Sequence, residues 1–157
     1  MKLFFYGTLR KGGIFSMGLP KDRKITLCQI QGIRMYMLGQ YPGVQVTDNE
    51  EDYVVGEMVD FDGIISNDEW ERLLERMDCI EGVDFGLFER SVIETPYGEV
   101  IIYLVTNKTL GLFKKAYDKY PAVLNDWAAV DPDVADMVET LNKEKDNVTV
   151  RTTEQKD

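Results

Sequence analysis

Apolar residues recur along this chain with two different periods, and the period changes near the middle. Leu3 to Tyr6 is a short apolar run bounded by Gly7, which predicts a buried strand. Lys11-Gly12-Gly13 marks a loop. Lys24 to Ile30 and Ile33 to Leu38 are rich in β-branched and aromatic residues and are parted by Gly32, so two strands are expected there. Tyr41-Pro42-Gly43 reads as a turn, and Val44-Gln45-Val46 alternates strictly. Tyr53 to Phe61 predicts a longer strand, in which Gly56 marks a bulge or a point of close approach. Leu87 to Thr95 and Glu99 to Thr106 flank Pro96-Tyr97-Gly98, which predicts a hairpin.

The helical period appears twice. Ser66-Asn67-Asp68-Glu69 places an N-cap serine three residues before a glutamate, a capping box. Behind it Trp70, Leu73, Leu74 and Met77 fall at i, i+3, i+4 and i+7, one apolar face. Gly82 stands where a glycine ends a helix. From Thr109 onward Leu110, Phe113, Ala116 and Tyr117 share a face, and Pro121 and Pro132 divide the region into short helices. Asp131-Pro132-Asp133 is a helix start, with proline in the first turn and acid near the positive dipole end. Asn142 to Asp157 is polar and is expected to be a mobile tail.

Turns rather than crossover helices join most of the strands. That predicts an α+β fold, with an antiparallel or mixed sheet able to curl into a small β-barrel flanked by helices. At 157 residues the chain is one domain, expected over residues 1–141 with the tail beyond it.

Composition narrows the chemistry. Apolar residues make up 44%, enough for a core. A net charge of −10 argues against a nucleic-acid partner, which needs a basic surface. There is no histidine, so Ser-His-Asp and Cys-His mechanisms and histidine-ligated zinc are excluded. Cys28 and Cys79 form no CxxC pair and read as reduced thiols. No apolar window approaches a membrane span, and no export signal stands at the N-terminus, so a cytoplasmic protein with no membrane partner is expected.

Two short stretches carry candidate chemistry. In Tyr6-Gly7-Thr8-Leu9 a glycine after a strand lets the backbone turn sharply, and successive N–H groups there can form a concavity for an anion or carbonyl. The plain alternative is an ordinary strand-ending turn. In Met77-Asp78-Cys79-Ile80-Glu81-Gly82 an acid sits at a helix end, where the dipole disfavours it. Turned outward, Glu81 is merely solvated. Turned inward, it gains a raised pKa and becomes a usable base. Asp78, one turn earlier, is either its structural partner or a second carboxylate of a glycosidase-like pair.

Taken together these stretches resemble the gamma-glutamylcyclotransferase-like family, which includes gamma-glutamylamine cyclotransferases. The resemblance is carried by Tyr6-Gly7-Thr8-Leu9-Arg10 with Gly12 or Gly13, and by Tyr36-Met37-Leu38-Gly39 running into Tyr41-Pro42. Val55-Gly56-Glu57-Met58-Val59, Met77-Asp78 to Glu81-Gly82, Phe88, Arg90 and Tyr103 complete it, in order, over Met1 to about Thr106. Two departures stand out: Phe88 where a tyrosine is usual, and Met77 where a leucine is usual.

The resemblance implies a cofactor-free, metal-free enzyme that releases 5-oxoproline from a small gamma-glutamyl substrate. Its general acid/base would be Glu81, and its substrate-binding residues Tyr6, Gly7, Thr8, Leu9, Phe88 and Tyr103. The alternatives are a non-catalytic module that binds a small ligand on the same fold, and an interaction domain working through its C-terminal helices.

Overall fold

Strand β1 (Lys2–Phe5) alternates large apolar side chains to both of its faces, and both faces are buried. The computed structural model describes residues 1–13, 16–113 and 125–154. In it β1 is the middle strand of a five-stranded sheet ordered β2-β5-β1-β7-β6. The others are β2 (Lys24–Gln31), β5 (Tyr53–Asp60), β6 (Phe88–Thr95) and β7 (Gly98–Val105). β1 runs parallel to β7, and every other pairing in the sheet is antiparallel. β3 (Ile33–Met37) and β4 (Pro42–Val46) pair only with each other, as a second, two-stranded sheet.

The α+β class and the mixed sheet agree with the pattern of the sequence, but the sheet does not close into the expected barrel. β2 and β6 are its two edges, and no pairing joins them. A local cause lies at Gly32. It is the single residue between β2 and β3 and has φ +78°, whereas a hairpin needs at least two connecting residues. The chain therefore leaves the main sheet at Gly32, and β3 finds its partner in β4. At Gly56 the structure chooses between the two expectations. Gly56 keeps regular register with Cys28, so there is no bulge, and a Cβ there would stand 2.5 Å from the Phe5 carbonyl oxygen.

Helix α1 (Asn67–Ile80) starts as expected: the Glu69 amide donates to Ser66 Oγ at 3.2 Å. Its face of Leu73, Leu74 and Met77 is buried against Leu3 and Phe5 on one side of the sheet. Phe4 and Tyr6 point the other way, into a cluster with Met35 and Val44 of the small sheet and with Trp127 and Val134. Each such fully buried side chain contributes roughly 1.5–3 kcal/mol of transfer free energy. α2 (Asn107–Leu112) follows β7.

The last helix, α3 (Pro132–Glu154), begins at the expected proline, and Asp131 Oδ1 accepts from the Asp133 amide at 3.1 Å. It has 23 residues, so it is not one of the short helices expected. No glycine or proline interrupts residues 133–154, and the helix extends to Glu154. Ala116, Tyr117 and Pro121 lie outside the described residues. Among the described residues no helix is long and apolar enough to cross a membrane.

Candidate active site

The chain leaves β1 at Phe5 and turns at once, with the Arg10 amide donating to the Gly7 carbonyl at 2.9 Å. Inside that turn the amides of Gly7, Thr8 and Leu9 have no acceptor among the described residues. Glycine is required at position 7, because a Cβ there would stand 2.6 Å from Cγ of Pro42. The far end of the turn is clamped from below. Glu57 on β5 accepts the Lys11 amide with both carboxylate oxygens, at 2.8 and 3.1 Å. Arg10 is wholly buried, pairs with Asp126 Oδ1 at 2.7 Å, and holds its Nε 4.0 Å from Glu57 Oε1. Burial raises the Glu57 pKa, and the Lys11 amide and the Arg10 charge pull against that rise.

Glu81 caps the C-terminus of α1, its own amide donating to the Met77 carbonyl at 2.9 Å. Gly82 then takes φ +64°, a left-handed conformation that suits glycine. It receives the Leu87 amide at 3.1 Å, which folds the chain back on itself. The Glu81 carboxylate has no hydrogen-bond or ion-pair partner among the described residues. Burial pushes it from the usual 4.5 up to about 7.

These two turns meet. Tyr6, Gly7, Thr8, Leu9 and Glu81 line one cavity of about 250 Å³, and Phe88 and Tyr103 line it too. The residue expected as the acid/base and the six expected to bind substrate thus line one cavity, whereas Asp78 does not. The size of the cavity is near the lower end for small-molecule pockets, suited to a small ligand. Phe4 and Phe5 of β1 form part of its wall. So do Tyr41, Pro42, Ile80 and Leu87, which the sequence reasoning did not assign to the site. Ile80 and Leu87 stand close to Glu81-Gly82 along the chain, which was the available signal, whereas Pro42 reaches Gly7 only through the fold. Tyr41 had a weaker one, as a member of the Tyr41-Pro42 turn.

Three phenols surround the acid. Tyr6 donates to the Tyr103 carbonyl at 2.6 Å, and Tyr103 donates to Asp78 Oδ1 at 2.7 Å. Burial first, and then the Glu81 charge, hold Tyr6 well above the usual phenol range. Tyr103 is raised by burial and by its bond to Asp78. Tyr41 is raised by burial and next by Glu81. All three are therefore neutral hydrogen-bond donors near neutral pH. The Tyr41 ring lies 6.3 Å from that of Phe88.

Asp78 is bonded away from Glu81, one carboxylate oxygen accepting from Tyr103. Its other oxygen pairs with Arg90 at 3.3 Å, and Asp78 is not among the cavity residues. Cys79 is exposed and Cys28 buried, and both are free. Among the described residues no three His, Cys, Asp or Glu side chains converge on a point that would hold a metal ion.

The family model described as gamma-glutamyl cyclotransferase, AIG2-like, matches residues 3–129. The chain belongs to that family. Members of the gamma-glutamyl cyclotransferase, AIG2-like family are cyclotransferases in general, and the matched range contains both turns of the site. Similar solved structures include the protein ytfP from Escherichia coli, at 26% identity with TM-score 0.48, covering 68% of this chain and 84% of that one. An Arabidopsis thaliana protein is 20% identical with TM-score 0.49, covering 76% and 83%. An uncharacterized protein from Pyrococcus horikoshii is 20% identical with TM-score 0.48, covering 67% and 77%. No curated protein matches the chain significantly.

Proposed function

We propose that this protein is a cyclotransferase that releases 5-oxoproline from a gamma-glutamyl compound, with Glu81 as the general acid/base. One observation carries the reading. An unpartnered carboxylate with its pKa raised to about 7 lines the same small cavity as the unsatisfied amides of Gly7, Thr8 and Leu9.

The chemistry needs no protein nucleophile. The amides hold the glutamyl end of the substrate and place its α-amine against its own γ-carbonyl, which supplies the proximity term. Glu81, ionised, takes a proton from the α-ammonium group. The freed nitrogen attacks the γ-carbon, and the new N–C bond closes the five-membered ring. An amide N–H stabilises the oxyanion that develops on the former carbonyl. As that intermediate collapses, Glu81 returns its proton to the departing nitrogen and the original C–N bond breaks; Glu81 then takes the second proton from the ring nitrogen and passes it to the released amine, which leaves as an ammonium ion. No water is consumed, and the base is restored. A carboxyl titrating near pH 7 suits both halves of this exchange.

The test is Glu81→Gln, which keeps the shape and removes the base. Wild-type protein should release 5-oxoproline, detected by mass spectrometry, from at least one member of a panel of gamma-glutamyl compounds. The variant should lose at least about a hundredfold in kcat, the usual worth of a positioned acid/base. A variant as fast as the parent would refute the mechanism.

A further inference from the structure

The cavity also carries information about the amine that departs, an inference that rests on the cyclotransferase reading above. Once the Gly7–Leu9 amides and Glu81 are assigned to the glutamyl half, the rest of the wall meets the other half of the substrate. That wall is Tyr41, Pro42, Ile80, Leu87 and Phe88, with the β1 phenylalanines behind them. Among the described residues it contains no lysine, no arginine and no acid besides Glu81. Two of the three phenol O–H groups are already spent, Tyr6 on the Tyr103 carbonyl and Tyr103 on Asp78.

The approach to the wall is apolar as well. Ile80 is 39% exposed although it lines the cavity. Phe85 is 76% exposed and sits in the short turn between Glu81 and Leu87, which both line it. Among the described residues Arg90 pairs with Asp78 at 3.3 Å, and Lys108 stays exposed, donating to the Phe85 carbonyl at 3.3 Å. Around all of this the chain carries a net charge of −10.

A departing amine that bears a carboxylate would meet this field and these walls with no cation among the described cavity residues to pair with. A cationic one would lose its hydration with only Glu81 to compensate, and Glu81 must carry the proton of the reaction. Burying either charge against apolar walls is costly, whereas an alkyl or aromatic group is favoured there. We propose that the preferred substrates are gamma-glutamyl amides of neutral, apolar amines rather than of amino acids or of lysine side chains.

The experiment compares kcat/KM for gamma-glutamyl benzylamide, gamma-glutamyl alanine and the gamma-glutamyl amide of the lysine ε-amine. The benzylamide should lead each of the others by at least about tenfold, the scale on which apolar pockets discriminate. Ile80→Arg, which puts a cation at a half-open position of the wall, should shrink that lead and raise the relative rate on gamma-glutamyl alanine. Equal rates, or a lead for either charged compound, would overturn the inference and leave the cyclotransferase reading standing. Calorimetric binding of the same three compounds to Glu81→Gln reads the wall without turnover. If the benzylamide binds tightest there while the wild type turns nothing over, the wall assignment survives and the catalytic reading fails. If the three bind alike, the wall assignment fails.

Discussion

The raised pKa of Glu81 makes a stability prediction that is independent of any substrate. In the unfolded chain its carboxyl titrates near 4.5, and in the native cavity at about 7. Between those values the native state holds a proton that the unfolded state has released, so stability must fall as pH rises through that window. Below about pH 4.5 the penalty is absent, because both states carry the proton. Above about pH 7 it is complete. The interval of about 2.5 pH units at about 1.4 kcal/mol each makes the full penalty about 3–4 kcal/mol.

Glu81→Gln cannot titrate and escapes the pH-dependent penalty. Its stability relative to wild type should therefore be level near pH 4.5 and climb between pH 5 and 7. By pH 8 the gain should reach about 3–4 kcal/mol, equivalent to about 6–16 °C in Tm for a chain of this size. Urea unfolding of both proteins at several pH values between 4.5 and 8 measures it, and every other titrating group cancels in the difference. A constant offset across the whole range would refute the argument, because it would mean that the native carboxyl titrates like an exposed one. A widening gap in the opposite direction would place a cation beside Glu81. The same titration predicts that kcat/KM rises as pH passes upward through about 7, since the base acts in its ionised form.

Three more outcomes follow from individual contacts. Glu57→Gln removes a charge 4.0 Å from the wholly buried Arg10, which keeps Asp126 at 2.7 Å, and leaves the Lys11 amide one acceptor oxygen in place of two; it should cost about 1–3 kcal/mol in urea unfolding, and unchanged stability would show that Asp126 alone compensates Arg10. Gly7→Ala forces a methyl group to within 2.6 Å of Pro42 Cγ; it should cost about 1–3 kcal/mol and raise KM for a gamma-glutamyl substrate, and an unchanged KM would separate the turn from substrate binding. Tyr103→Phe removes the 2.7 Å bond to Asp78 while sparing the backbone carbonyl that accepts from Tyr6; a loss of about 1–2 kcal/mol is expected, and unaltered thermal stability would show that Arg90 alone satisfies Asp78.

What could be read from the chain was local in origin. The Ser66-Glu69 cap, the face of Leu73, Leu74 and Met77, and the Gly82 stop each depend on residues within a few positions of one another, and all are present in the structure. So are the buried apolar run of β1 and the hairpin of β6 and β7, whereas the alternation in β4 does not bury Val46, which is 57% exposed. The two turns of the site were legible for the same reason, since a glycine after a strand and an acid at a helix end are features of short segments.

Tertiary structure decided everything that required distant segments to meet. Whether the sheet closes depends on which strands become its edges, and a barrel and an open sheet share the same alternation along each strand. Asp78 and Glu81 look alike in sequence, one turn apart, but Tyr103 and Arg90 arrive from β7 and β6 to occupy only Asp78. Tyr41 and Glu57 gained their roles through residues at least 33 positions away, Phe88 and Thr8 for the cavity wall and Lys11 for the anchored loop. Above all, the character of Glu81 as a base comes from desolvation. Desolvation is set by how many atoms from the whole fold crowd around a carboxylate, a quantity that no short segment of chain contains.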